Sequence, residues 1–292
     1  MTVSTPSATG AATEPPVTAV PVRHYGRWIA ALVVVALGAA FLNALLRSPN
    51  LEPGTVAEYL FKPYVLDGVK VTLILTAVAM VIGIAGGVVL AVMRLSANPV
   101  LRACAWLFIW FFRGTPLLVQ IIFFGFLGAL FPRITISLPL IGTLFDKPTS
   151  VVITGTTAAI LALSLNEMAY AAEIVRGGIL AVDRGQTEAA YALGMSPALT
   201  TRRIVLPQAM RVIVPPMGNE TITMLKSTAL VSVIAGRDLL TAVQNVYGQN
   251  YKVIPLLVVA ALWYLALVSV LSAGQYFLER RFGRGFSPGG VR

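Results

Sequence analysis

The chain has 292 residues, 57% of them hydrophobic and only 12% charged, with a mean hydropathy of +0.81. Soluble domains carry roughly twice that charged fraction, so a soluble globular protein is excluded and a polytopic membrane protein is the class that fits. The net charge of +10 would suggest nucleic acid in a soluble chain. Here Lys and Arg sit at the ends of apolar runs and no basic groove with interleaved aromatics is visible, so positive-inside bias and contact with anionic lipid account for it.

Residues 1–22 are Ala, Thr, Pro and Ser with one charge, Glu14, and read as a disordered tail. Arg23 and Arg27 precede an apolar run from Trp28 to Leu46, predicted as an N-terminal span over 23–47, with a cleaved signal peptide as the rival reading. Residues 47–70 hold three prolines and six charges and are predicted to be an external connection. The second span is expected over 71–93, with Gly83 and Gly87 as a small-xxx-small step for close helix approach. A basic return, RLSANPVLR, leads into a third apolar region, 103–131. Arg113, Gly114, Thr115 and Pro116 interrupt that region, and a break is predicted there because Pro116 removes a helix hydrogen bond.

Residues 132–150 read as an external loop, and the fourth span as 150–165. The stretch 167–207 follows, its charge density placing it in water. Pro215 and Pro216 are expected to begin the fifth span, reaching about Ala235. An external loop over 236–253 and a last span over 254–277 complete six. With both termini inside, the inner segments collect thirteen of the 22 Lys and Arg and the outer ones seven, leaving Arg113 and Lys226 within spans.

Within the polar stretch stands EAAYALGMSPALTTRRIVLP, residues 188–207. Glu188, Ala189 and Ala190 open a helix-forming run, Gly194 suits a left-handed stop, and Ser196-Pro197 suits a restart. Glu188, Ala189, Ala190, Gly194, Ile204, Leu206 and Pro207 together resemble the EAA loop of ABC-importer permeases. FRGTPLLVQ (112–120), LSLNEMAYAAEIVRGGI (163–179) and GNETITMLKSTALVSVI (218–234) narrow the resemblance to the polar amino-acid branch, the histidine, glutamine, glutamate, arginine and opine group. It covers about 66–281, a five-helix core, with the N-terminal helix outside it and a basic tail over 282–292. Lys226 is followed by Ser227, Thr228 and Ala229, a departure from the usual acidic residue after this lysine that bears on the substrate.

The expected fold is therefore all-α, about six transmembrane helices with a cytoplasmic coupling loop. The resemblance implies a bacterial inner-membrane location, cytoplasmic ATP-binding subunits, a second permease subunit, an extracytoplasmic substrate-binding protein and an amino-acid substrate. An ion-coupled secondary transporter or channel is the alternative, explaining the spans but not the loop. No cofactor is expected, because no GxxxxGK[ST] loop occurs and ATP would be used by the partner. Cys104 and His24 stand alone, which leaves no intrachain disulfide and no metal cluster of these residues. For the substrate path the candidates are Arg113, Glu167, Asn219, Glu220, Thr223 and Lys226. Asn219, Thr223 and Lys226 fall on one helical face, and ionisable groups inside a membrane pair with one another or line a watered route. In that reading Lys226 and the hydroxyls take the substrate carboxylate, and Glu220 or Glu167 its ammonium.

Overall fold

The computed structural model describes residues 25–138 and 142–282, so the tail 1–22, Arg23, Pro139 and the basic residues 283–292 lie outside it. The chain divides into two units, 1–51 and 52–292. In the first, α1 (Tyr25–Leu46) has 22 residues without an acidic or basic residue in its last turn. At 1.5 Å per residue it is about 33 Å long, enough to cross a bilayer core. A single 3₁₀ turn, Pro49–Leu51, follows it.

The second unit opens with α2 (Pro53–Tyr59) and α3 (Pro63–Leu95), each started by proline at the first helical position. The predicted external connection over 47–70 is thus largely helical, and the second span begins eight residues earlier than expected. Lys252 Nζ bonds Glu52 Oε2 at 2.7 Å and Thr55 Oγ1 at 3.0 Å, tying α2 to the far end of the chain. That hydrogen bond holds the Glu52 carboxyl below its ordinary value.

Next come α4 (Pro99–Gly114), with Asn98 accepting from the amides of Val100 and Leu101 as its N-cap, and α5 (Leu117–Gly125), bent 98° from it. The short α6 (Leu127–Leu130) leads to an antiparallel hairpin, β1 (Arg133–Leu138) and β2 (Gly142–Pro148). Strands were not expected in an all-α chain. Arg133 bonds both carboxylate oxygens of Asp146 at 2.9 and 2.7 Å across the hairpin and holds that carboxyl below its ordinary value.

After the one-turn α7 (Thr149–Val152), α8 (Gly155–Leu180) runs through LSLNEMAYAAEIVRGGI without interruption. The start of the 167–207 stretch is therefore not solvated as its charge density suggested: Glu167 is only 2% exposed. Water is reached beyond Leu180, in α9 (Arg184–Ala192), α10 (Pro197–Thr200) and a π-helical turn, Thr201–Val205. The turn opens into α11 (Leu206–Ser227), with Pro215 and Pro216 in mid-helix rather than at its start. At the prolines the last helix grips α11: Gln275 Nε2 reaches in to bond Pro215 O at 2.7 Å, in the space left by Gly218. A 3₁₀ segment, Thr228–Ile234, closes α11; α12 (Leu239–Asn250) replaces the predicted external loop; and α13 (Val253–Phe282) is the last helix.

Among the described residues four helices, α1, α3, α8 and α13, are long and apolar enough to cross a membrane, and α4 with α5 counts as a fifth where the bent pair is one span. The predicted fifth span, α11, falls short on composition because Arg211, Asn219, Glu220 and Lys226 lie along it.

The core is a parallel packing of α3 on α8. A Cβ on Gly83 would stand 2.3 Å from Glu167 Cγ, and one on Gly87 2.6 Å from the Ala171 methyl, so glycine alone permits this approach. Leu75, Ala79, Ile121, Ala162 and Leu163 fill the centre; Ala91, Val175, Ala209 and Ile213 fill one end; Val65, Val69, Leu239, Val243 and Leu256 fill the other.

Candidate functional site: a polar cavity at a broken helix and an exposed arm

The break at Pro116 determines the local chemistry. Without an amide hydrogen on Pro116, the Phe112 carbonyl loses its helical donor. Gln120 Nε2 replaces it at 2.9 Å and Asn166 Nδ2 at 3.1 Å, and Asn166 also bonds Gln120 Oε1 at 3.1 Å. Two side-chain amides thus close the hole in the backbone and pin α5 to α8. Neither was singled out as functional from the sequence, although both stand in the motifs quoted above, FRGTPLLVQ and LNEMAY.

Beside this clasp lies a cavity of about 310 Å³, lined by Leu117, Asn166, Glu167, Tyr170, Glu220, Thr223, Met224, Ser227 and Leu230. It brings together three of the six predicted path residues, Glu167, Glu220 and Thr223. Glu167 Oε1 is buried with no hydrogen-bond partner among the described residues, an acceptor left open at considerable cost inside a bundle. Asn219 and Lys226 are exposed on α11 and do not line the cavity. Of the Asn219, Thr223 and Lys226 face expected from helical spacing, only Thr223 borders the cavity, beside Glu220. Arg113 is also elsewhere: its guanidinium stands 5.1 Å from the Tyr170 ring centroid, in a neighbouring cavity of about 440 Å³ with Arg94, Trp110 and Glu173. Tyr170 borders both spaces.

The third feature is the arm after α8. Asp183 caps α9 by accepting from the Gly185 amide at 2.6 Å. Gly194 adopts φ +79°, and the amides of Met195 and Gly194 bond the carbonyls of Ala190 and Tyr191 at 3.1 and 2.9 Å, a Schellman closure. The restart at Pro197 continues through the π turn into α11. That turn arises because Pro207 cannot donate to the Arg203 carbonyl, so the helix widens by one residue. Ala190 is buried and Ile204 half-buried, while Glu188, Ala189, Gly194, Leu206 and Pro207 are exposed. At the corner Leu193 is 83% exposed, the most exposed large apolar side chain of the arm.

An apolar bundle that hides carboxylates around a small cavity, and presents a stiff two-armed helix outside it, is the architecture of a membrane permease driven from one side. The chain belongs to the family described as binding-protein-dependent transport system inner membrane component, which it matches over residues 68–284. Among its relatives is the arginine transport system permease protein ArgU of Corynebacterium glutamicum, 44% identical over 271 residues that cover 92% of this chain and 84% of that protein. The L-cystine transport system permease protein TcyB of Bacillus subtilis is 34% identical, covering 84% and 98%. A crystal structure of an amino acid ABC transporter with histidines superposes with TM-score 0.62 at 36% identity, over 75% of this chain and 94% of that one. The inward-facing MetNI methionine transporter, at 21% identity and TM-score 0.57 over 80% and 99%, shares the fold.

Family membership makes this chain a transport subunit rather than an enzyme, a multi-pass inner-membrane protein that works with a separate ATPase and a substrate-binding protein. A secondary transporter or channel is thereby set aside.

Proposed function

We propose that the chain forms half of the translocation path of an importer for polar amino acids, with a cationic amino acid the best match to the cavity. One observation carries this reading: Glu167 and Glu220 face a common cavity whose lining includes no Lys or Arg. Such a lining favours an ammonium, and a second cationic group on the side chain satisfies the second carboxylate. With Lys226 outside the cavity and both Asn166 amide hydrogens spent on Phe112 O and Gln120 Oε1, the substrate carboxylate meets only hydroxyls, those of Tyr170 and Thr223. Relatives named for arginine and cystine transport support the amino-acid class.

In the same proposal the arm over 188–207 docks on the ATPase, which supplies the ATP chemistry, so this chain needs no cofactor of its own. The exposed Leu193 tip suits a cleft on such a partner, and the continuous run from α10 through α11 gives a stiff link from the arm to Glu220 and Thr223. Only contacts that differ between two conformations can drive a cycle, and a rigid arm transmits that difference to the cavity. A second permease subunit, identical or related, completes the path within the lipid bilayer. Both termini and the arm lie in the cytoplasm.

The test is reconstitution in vesicles with the partner ATPase and binding protein, followed by a screen of amino acids for stimulated ATP hydrolysis and uptake. Glu220→Gln is expected to lower uptake at least tenfold while membrane insertion and ATPase capture stay normal. Lys226→Met is expected to transport like the parent. Unchanged affinity and rate in Glu220→Gln would reduce the cavity to scaffold.

A further inference from the structure

A larger polar cavity lies away from the one just described. It measures about 630 Å³, within the range of small-molecule sites, and sits between the start of α3 and α12. Tyr64, Asp67 and Lys70 line it from α3; Arg237, Asn245 and Gln249 line it from α12 and the residue before its cap. Val71 and Val246 give it an apolar floor. Along α3 this is about 40 Å from Arg94, so the cavity is at the end of the bundle opposite the coupling arm.

Two independent features set it apart from an ordinary surface groove. First, one anion and two cations border a single space, yet among the described residues Asp67, Lys70 and Arg237 form neither ion pairs nor side-chain hydrogen bonds with one another. Opposite charges that share a cavity without pairing leave room for a ligand carrying both signs. Second, the backbone that presents Arg237 is held in an unfavourable conformation. Ala235 and Arg237 have φ of +55° and +62°, a region that side chains with a Cβ rarely adopt.

The surroundings hold that conformation in place. Asp238, fully buried, accepts from the Leu240 amide at 3.0 Å and from the Thr241 hydroxyl. The Leu239 amide donates to Thr72 Oγ1 at 3.1 Å, and a Cβ on Gly68 would stand 2.9 Å from Leu239 Cα. α12 is therefore locked onto α3, and Arg237 is fixed toward the groove on a rigid frame.

We propose that this cavity is a second amino-acid site at the outer mouth of the subunit, in which Arg237 and Lys70 take the main-chain carboxylate and Asp67 the ammonium. Asn245 and Gln249 remain to meet a polar side chain. The site reads the zwitterion common to all amino acids, whereas the inner cavity, whose only charged lining residues are Glu167 and Glu220, reads extra positive charge. The inference rests on the amino-acid reading above for the identity of its ligand, and its geometry stands apart from Glu167 and Glu220.

The experiment measures equilibrium binding of radiolabelled L-arginine to the intact transporter, with both permease subunits and the ATPase, in lipid nanodiscs without binding protein. In a Glu167→Gln, Glu220→Gln background the arginine still bound is expected to occupy the outer cavity. Adding Arg237→Gln or Lys70→Gln is expected to weaken that binding at least tenfold. L-arginine methyl ester, which lacks the carboxylate, should compete at least tenfold less well than arginine before Arg237→Gln and equally poorly after it. N-acetyl-arginine should show the same pattern with Asp67→Asn. A purely structural role does not predict analogue-specific changes.

Residual binding that is absent, or unmoved by all three substitutions, overturns the outer site while leaving the inner one standing. So does a result in which the substitutions weaken capture of the binding protein but not of arginine, since the groove is then a protein-docking surface. Arginine bound by neither cavity in the parent overturns the amino-acid reading itself, and this site with it.

Discussion

At Gly83 one missing carbon decides how closely two helices approach. The Cβ of any other residue would overlap Glu167 at 2.3 Å, and Glu167 is held between α3 and the cavity, with little room to retreat. Gly83→Ala is expected to destabilise the detergent-solubilised subunit by about 1–3 kcal/mol, the usual cost of overpacking a tight interior. Thermal unfolding alongside substrate-stimulated uptake measures it, and uptake should fall further than stability because the displaced group is Glu167 itself. A Gly83→Ala subunit with parental melting and uptake would show that the interface yields freely. The sequence exposed Gly83 and Gly87 as a packing step by their spacing alone. That the step accommodates an acidic side chain could not be read there, because it depends on the rotation of α8 about its axis.

Two proline-bearing elements show how a local rule and its tertiary remedy divide the work. Pro116 breaks the α4–α5 span by removing one amide hydrogen, which the sequence states openly; Asn166, 54 positions beyond Phe112, repairs the lost bond. Pro215 and Pro216 likewise leave the Arg211 and Val212 carbonyls without helical donors yet do not end α11, which Gln275 of α13, 60 residues away, grips at Pro215 O. The coupling arm is the opposite case, written almost wholly in local residues. Gly194 has open space around its missing Cβ, so its left-handed φ of +79° is the only barrier to substitution. Gly194→Val is expected to cost about 1–2 kcal/mol in backbone strain and to weaken co-purification of the ATPase. Gly194→Asn, which tolerates the left-handed region, should restore much of the loss. Normal ATPase capture and normal stimulated hydrolysis in Gly194→Val would leave the arm as a mere connection.

For the whole molecule, the parallel run of α3 and α8 places two core clusters at opposite ends: one beside the arm, around Ala91, Val175 and Ala209, the other beside α12. The arm is proposed to lie in the cytoplasm on the bias of thirteen inner against seven outer basic residues. Single cysteines at Gln186 and Gln249, in a Cys104→Ala background, are therefore expected to react from opposite sides of sealed vesicles. Both positions are exposed, so labelling reports sidedness rather than access. Reaction of both from the outside would reverse the orientation.

The sequence by itself determined the class of the protein, the position of the helix break, the helix–glycine–helix form of the arm and the family. Each of these rests on composition or on residues within a few turns of one another, where propensity, capping and proline chemistry act locally. Whether a polar stretch is solvated or buried was decided only by the tertiary structure. Glu167 and Glu188 look alike in sequence, but α3 covers the first and nothing among the described residues covers the second. The same holds for Lys226, predicted beside the substrate and found outside the cavity, and for α2 and α12, predicted as loops and found as helices packed on α3 and α13. The facing surfaces belong to segments far apart in sequence, and helix rotation and closest approach are set by packing, which no local pattern encodes.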